Sequence, residues 1–205
     1  IKEAETHPSF TAAAGAMVST TEDLSKLMHE LIKGNLVSES SLEQMKKVLK
    51  RKNYDVHSIT TNAVLPSGET VYNGNIATWV MQSAMGGKEL VVALYQVDYT
   101  LELVKTSKQL NVNLLAETQT NLIAALGRKS GREKPKLRPQ WYALDDRGCP
   151  YLLEAVGYIQ CTVKEMVEGL DHTLCICQVE KQVMLHAEAE VMTNDFLREK
   201  GLVRG

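Results

Sequence analysis

The side chains that could do chemistry in this 205-residue chain are few, and their spacing excludes more than it selects. The four cysteines, Cys149, Cys161, Cys175 and Cys177, all fall in the last third. Cys175 and Cys177 form a C-x-C pair inside an apolar run, where alternate residues of a strand share one face, and no second Cys or His pair stands at zinc spacing. The C-x-x-C spacing that lowers a thiol pKa at a helix start is missing too, so buried free thiols are expected rather than a redox dithiol. A second group is cationic. Arg128, Lys129, Arg132, Lys134, Lys136 and Arg138 place six positive charges in eleven residues, a run that would attract an anionic group or simply be a solvated loop. Of the five histidines, His7, His29, His57 and His186 stand in no motif and read as structural or exposed. His172, next to Asp171 at the start of a strand-like run, carries an imidazole that can accept or donate a proton but needs context to rise above a surface residue.

The composition is that of an ordinary globular protein, with 44% hydrophobic and 23% charged residues and a formal net charge of -2. That length buries a core without staples, as one large domain or as a compact domain with a helical extension. No apolar run approaches the roughly 18 residues of a spanning helix, and no signal-peptide pattern opens the chain, so no membrane partner and a cytoplasmic address are expected. Near-neutral charge argues against a general nucleic-acid partner.

The elements that must position these groups change in kind along the chain. Ser19 and Thr20, with Glu22 and Asp23 three positions on, have capping-box spacing. Leu24, Leu27, Met28, Leu31 and Ile32 then recur at helical spacing up to Gly34. Ser38 can cap a second helix, and residues 1–50 read as a helical N-terminal segment. From Tyr54 the period becomes that of strands. Strands are expected over 54–61 and 69–80, turning at Pro66, Ser67 and Gly68, then over 90–97 and 110–115, and as a long hairpin over 155–167 and 172–184. Short helices are expected over 101–108 behind Thr100 and over 119–126 behind Thr118, with a loop over 128–147. The result is a mainly β fold with short helices, a closed or nearly closed barrel over 51–205.

Two stretches resemble known families. Phe10 to Met28 (FTAAAGAMVSTTEDLSKLM) and Gly34 to Met45 (GNLVSESSLEQM) are similar to a structural helix pair of the serine β-lactamase and D-alanyl-D-alanine carboxypeptidase family. The resemblance covers about residues 8–47 and brings no catalytic group. The S-x-x-K and K-T-G motifs are absent, so no serine has a base placed to activate it. Further on, Asn73 to Ser83 (NGNIATWVMQS), Val92 to Leu103 (VALYQVDYTLEL), Asn111 to Glu117 (NVNLLAE), Gly157 to Cys161 (GYIQC) and Gly169 to Leu174 (GLDHTL) occur in this order. Their order and spacing resemble the flavin reductase-like, FMN-binding split-barrel family, including the reductase module of flavodiiron proteins, over about residues 50–184.

That resemblance implies a split β-barrel holding FMN, which needs a dry slot for its ring, hydrogen-bonding groups for its ribityl chain and an anion nest for its phosphate. Asn75, Thr78, Trp79, Gln82 and Ser83 fall where relatives contact the ring and phosphate. Tyr99 and Thr100 precede a helix whose positive end suits a phosphate. Asn113 falls where the family's chain runs beside the flavin. His172, with Asp171, aligns with the family's G-D-H histidine at the flavin edge, although Leu170 is inserted here. Met85 to Glu89 replaces a Pro-rich turn of relatives, so access to the flavin face differs. On type alone Trp79 is equally a core aromatic, Thr100 a plain N-cap and Asn113 a strand-end residue.

The implied function is an oxidoreductase that passes electrons from NAD(P)H through FMN to a free flavin or a redox-protein acceptor, as a homodimer. The alternative is an FMN-binding electron carrier or sensor with little nicotinamide activity.

Overall fold

The computed structural model describes residues 52–202 and six isolated positions, Lys26, Glu30, Leu36, Ser38, Ser40 and Ser41. The chain divides into two compact units, 1–51 and 52–205. At the isolated positions Ser38 Oγ accepts the Ser41 N–H at 3.3 Å, the capping geometry expected of it. The rest of both N-terminal helices, and the β-lactamase-like stretch, lie outside the described residues.

The second unit is mainly β. Its strands are β1 (His57–Val64), β2 (Thr70–Ala77), β3 (Val80–Gln82), β4 (Glu89–Tyr95), β5 (Gln109–Leu114), β6 (Tyr142–Leu144), β7 (Pro150–Leu152), β8 (Gly157–Glu168) and β9 (His172–Met184). Three helices accompany them: α1 (Tyr99–Ser107), α2 (Thr120–Gly127) and α3 (Asn194–Glu199). Seven strands form one sheet in the order β2-β1-β5-β8-β9-β4-β3, every neighbouring pair antiparallel.

The two edge strands of this sheet, β2 and β3, are consecutive in the chain and separated only by Thr78 and Trp79. The three Cα–Cα steps from Ala77 to Val80 span no more than about 11 Å. The sheet must therefore curl until its edges meet at that link, and Ala93 N–H donating to Trp79 O at 2.9 Å ties the link to β4. The single strand expected over 69–80 is broken after Ala77, because the chain leaves its partner β1 for its partner β4 there. Register shifts in β8 at Gln160/Cys161 and Val163/Glu165 add the local bending that a curled sheet requires.

Inside the curl, Ile59, Val92, Leu94, Leu110, Val112, Cys161, Cys175 and Cys177 are buried together, joined by Leu101 and Val104 of α1. Cys175 and Cys177 share the inward face as their alternation required, and all four thiols are free and buried. Burial pushes Cys149 and Cys161 up to about 12 and Cys175 up to about 11, so these thiols stay protonated. A second cluster, with Leu115, Leu122, Leu126, Leu152, Met192 and Leu197, packs α2 and α3 against the outside of the sheet.

Three local expectations are corrected. Helix α1 starts at Tyr99 behind Asp98, whose backbone is extended, so Thr100 lies inside the first turn rather than at the cap. Ahead of α2, residues Glu117–Gln119 form a 3-10 turn, and Gln119 rather than Thr118 is the cap. The expected loop over 128–147 contains a 3-10 turn (Pro139–Trp141) and β6, which pairs with β7. Asp145 makes that hairpin. Its carboxylate accepts the Arg147 and Cys149 N–H groups at 2.8 and 2.9 Å and holds the Arg147 side chain at 3.1 Å. Burial pushes the Asp145 pKa up, but these bonds, that of Asn111 and the Arg147 charge outweigh it and hold the carboxyl below its ordinary value.

Candidate active site

A cleft of about 160 Å³ opens at the link between β2 and β3. Asn75, Ile76, Ala77, Thr78 and Trp79 form one wall, and Ala93, Tyr95, Asp98 and His172 the other. Sheet register creates it. Tyr95 at the end of β4 is the direct partner of His172 at the start of β9, and Trp79 lies across from them at the corner.

Three rings meet there. The His172 imidazole lies 4.6 Å from the Trp79 ring, tilted by 48°, and 5.2 Å from the Tyr95 ring, tilted by 40°. These are the offset arrangements that aromatic quadrupoles favour. Asp171 Oδ1 sits 2.7 Å from His172 Nδ1 and fixes the ring, so Nε2 is the nitrogen left for another partner. Trp79 is 50% exposed and Tyr95 44%, an unusual outlay of aromatic surface unless something lies against it.

The polar floor is built behind β2. Asn75 Nδ2 donates to Asp98 Oδ2 at 2.8 Å, and Asn73 Nδ2 donates to Thr100 Oγ1 at 3.0 Å. Because each amide nitrogen is fixed by an acceptor, each amide oxygen is left over, and both Asn73 Oδ1 and Asn75 Oδ1 are buried without a partner among the described residues. An orphaned acceptor at the edge of a cleft is a costly arrangement that a ligand donor can relieve. Asn75 and Asn73 share one face of β2 because strand side chains alternate, and Gly131 of the cationic loop lies so near Asn73 that a Cβ there would come within 2.2 Å of Asn73 Oδ1.

Of the expected site residues, Asn75, Thr78, Trp79 and His172 line this cleft together, and Asp171 supports His172. Thr100 is buried behind the cleft as the acceptor of Asn73. Tyr99 lies beneath the Arg132 guanidinium, 5.5 Å from its ring, and Arg132 also holds Glu102 and the Val97 carbonyl. The Asp98 carboxylate stands at the start of α1, so the positive helix end already has a negative neighbour.

Gln82, Ser83 and Asn113 do not join the cleft. The first two are exposed and close the turn after β3, Gln82 Nε2 donating to the Ala84 carbonyl and Ser83 Oγ to Glu89. Asn113 is wholly buried. Its amide donates to the Ser58 carbonyl and Thr60 Oγ1 at 2.9 Å, and its oxygen accepts the Leu152 N–H at 2.8 Å, which pins β7 to the sheet. Tyr95 and Asp98 were not singled out by sequence. Asp98 carried a signal, an Asp just before a helix start; Tyr95 carried none, since its place depends on the β4–β9 register.

A family model described as a flavin reductase like domain matches residues 51–195. No curated protein matches the chain. Among solved structures, the NADH:FAD oxidoreductase of Streptomyces globisporus is 16% identical with a TM-score of 0.66, covering 77% of this chain and 90% of that one. An FMN-binding protein of Thermus thermophilus is 19% identical with a TM-score of 0.58, covering 67% and 74%. A Sinorhizobium meliloti protein is 17% identical with a TM-score of 0.60, but the match takes 73% of this chain and only 49% of that one, so the chain spans about half of its length. At these identities the likeness is one of fold.

Proposed function

The chain belongs to the flavin reductase-like family, and from that premise we propose that it is a flavin-binding oxidoreductase that takes electrons from NAD(P)H through bound FMN to a free flavin or a redox-protein acceptor. The observation that carries this reading is the convergence of Trp79, Tyr95 and His172 beside the orphaned Asn75 oxygen. A planar heteroaromatic ring with N–H donors fits such a site. It needs flat apolar surface and a hydrogen-bond acceptor at its edge, and both are present.

Flavin, when bound, supplies the two-electron chemistry by accepting a hydride from a reduced nicotinamide. The chain's own residues would bind and orient. Trp79 and Tyr95 offer ring faces and exclude water from them. Asn75 Oδ1, turned by the Asp98 carboxylate, accepts from a ring N–H. His172, held at Nδ1 by Asp171, offers Nε2 as acceptor when neutral and as donor when protonated, so it can hold a proton at the edge where donor and acceptor exchange.

A ligand pocket commonly encloses about 300–1,000 Å³, so this cleft encloses only part of a flavin. A second copy of the chain against the open side, in a homodimer, would complete it. No helix among the described residues is long and apolar enough to cross a membrane.

The test is the visible spectrum of the purified chain with added FMN, followed anaerobically by NADH and then NADPH. Bound yellow flavin that bleaches with one nucleotide supports the reductase and identifies its donor. Stoichiometric flavin that stays oxidised replaces it with the carrier or sensor reading, and absence of FMN binding overturns both.

A further inference from the structure

The apolar surface between the end of β2, α2 and α3 is left partly uncovered. A cavity of about 360 Å³ opens there, lined by the buried Val56 and Leu197 and by the half-buried Ile76, Ile123 and Leu202. All five belong to the second core cluster or pack against it, so the fold itself holds this aliphatic surface in place. Ligand pockets commonly enclose about 300 Å³ or more, and this cavity reaches that size. Covering its half-buried side chains would remove them from water, which favours an apolar body.

The polar groups of the cavity are few and unengaged. Thr78, Arg128 and Asn194 also line it, and none of their side chains has a hydrogen bond or ion pair with another described residue. Arg128 directly follows α2, where its backbone N–H donates to the Ala124 carbonyl at 3.3 Å, so an exposed guanidinium starts from a fixed point. Among the described residues lining the cavity Arg128 is the only charged one. Lys129, Lys134, Lys136 and Arg138 border a separate cavity that has Trp141 in its wall.

This combination specifies a ligand. A guanidinium presents a fork of N–H donors that matches one carboxylate, and the Asn194 amide and Thr78 hydroxyl are further donors to its oxygens. A dianion would carry a second charge against aliphatic walls with no cation to meet it, which is costly.

We propose that this cavity binds a small apolar monocarboxylic acid, its hydrocarbon body against Ile76, Ile123 and Leu202 and its carboxylate on Arg128. The cavity adjoins the aromatic cleft, since Ile76 and Thr78 line both. Trp79, Tyr95, Asp98 and His172 of the cleft have no part in it, so the proposal does not rest on the flavin reading.

The experiment titrates hexanoate and benzoate into the full chain by calorimetry, with hexanamide and benzamide as their uncharged counterparts. The same titrations are made with Arg128→Gln, at an exposed position, and with Ile123→Trp, which fills the cavity from α2. The expected result is binding of at least one acid, about tenfold weaker for its amide and in Arg128→Gln, and lost in Ile123→Trp, with urea midpoints showing that both variants fold. Tighter binding of hexanoate assigns the site to an aliphatic acid, and tighter binding of benzoate to an aromatic one. Failure of both acids to bind, equal binding of acid and amide, or unchanged binding in either folded variant overturns the proposal. FMN is titrated alone and with each acid present. Simple competition between FMN and the acid would put the acid in the aromatic cleft and overturn the proposal too. Absence of FMN binding with acid binding intact would sink the flavin reading and leave this site standing.

Discussion

The Trp79 indole and the His172 imidazole lie 4.6 Å apart, although one sits at the corner joining β2 to β3 and the other begins β9. The contact exists because β4 separates them by one strand on each side: Trp79 O accepts from Ala93, and Tyr95 is the register partner of His172. The candidate site is thus a product of barrel curvature rather than of any continuous segment.

Replacing Trp79 by Ala should weaken FMN binding about tenfold, with little change in the urea midpoint, because the ring is 50% exposed and anchors no core. Flavin absorbance titration and a denaturation curve measured together check this. A large loss of stability with unaltered affinity would show that Trp79 serves the fold.

Gly131→Ala should destabilise by about 1–3 kcal/mol, because the new Cβ would meet Asn73 Oδ1 at 2.2 Å, and Asn73 cannot retreat while it donates to Thr100. Adding Asn73→Ala to that variant removes the collision, so the two losses should be less than additive. Additive losses in urea unfolding would contradict the contact.

Asn113→Ala removes an amide with both ends engaged and leaves the Leu152 N–H and Thr60 hydroxyl short of a partner. The expected cost is about 2–4 kcal/mol of stability. Flavin affinity per folded molecule should be unchanged, as determined by titration below the unfolding range. A selective loss of affinity would restore Asn113 to the binding residues.

His57 sets a pH dependence. Burial lowers its pKa below 6.5, against the opposing Asp55 charge, and its Nδ1 has no partner among the described residues. The unfolded chain takes up this proton near 6.5 and the folded chain only at lower pH, so in between the unfolded state binds more protons and stability rises with pH. The contribution of His57 is therefore present above 6.5 and is lost as pH falls toward the folded value. Urea midpoints from about pH 7 to about pH 5 should decline less in His57→Gln than in the unmodified chain. An identical decline in the two would refute this role.

Much of the local structure was legible because its causes are local. The β8–β9 hairpin is marked by long alternation on either side of a Glu-Gly turn, and the inward pairing of Cys175 with Cys177 follows from strand alternation alone. Helices α1 and α2 could be placed to within two residues, whereas β6 was hidden in a charged, Pro-containing stretch whose hairpin depends on the Asp145 carboxylate.

What the sequence by itself determined is the mainly β character, the strand and turn residues, and the ordered set of motifs that resembles a flavin-binding family. The tertiary structure decided the rest. It broke the 69–80 run at Thr78 and Trp79, set Tyr95 opposite His172, turned Asn113 inward to fasten β7, and gathered the cations around a pocket. The physical reason is range. Alternation, capping and turn chemistry act over a few neighbouring residues, but the curl of the sheet and register between distant strands are fixed only when the whole sheet buries one common core.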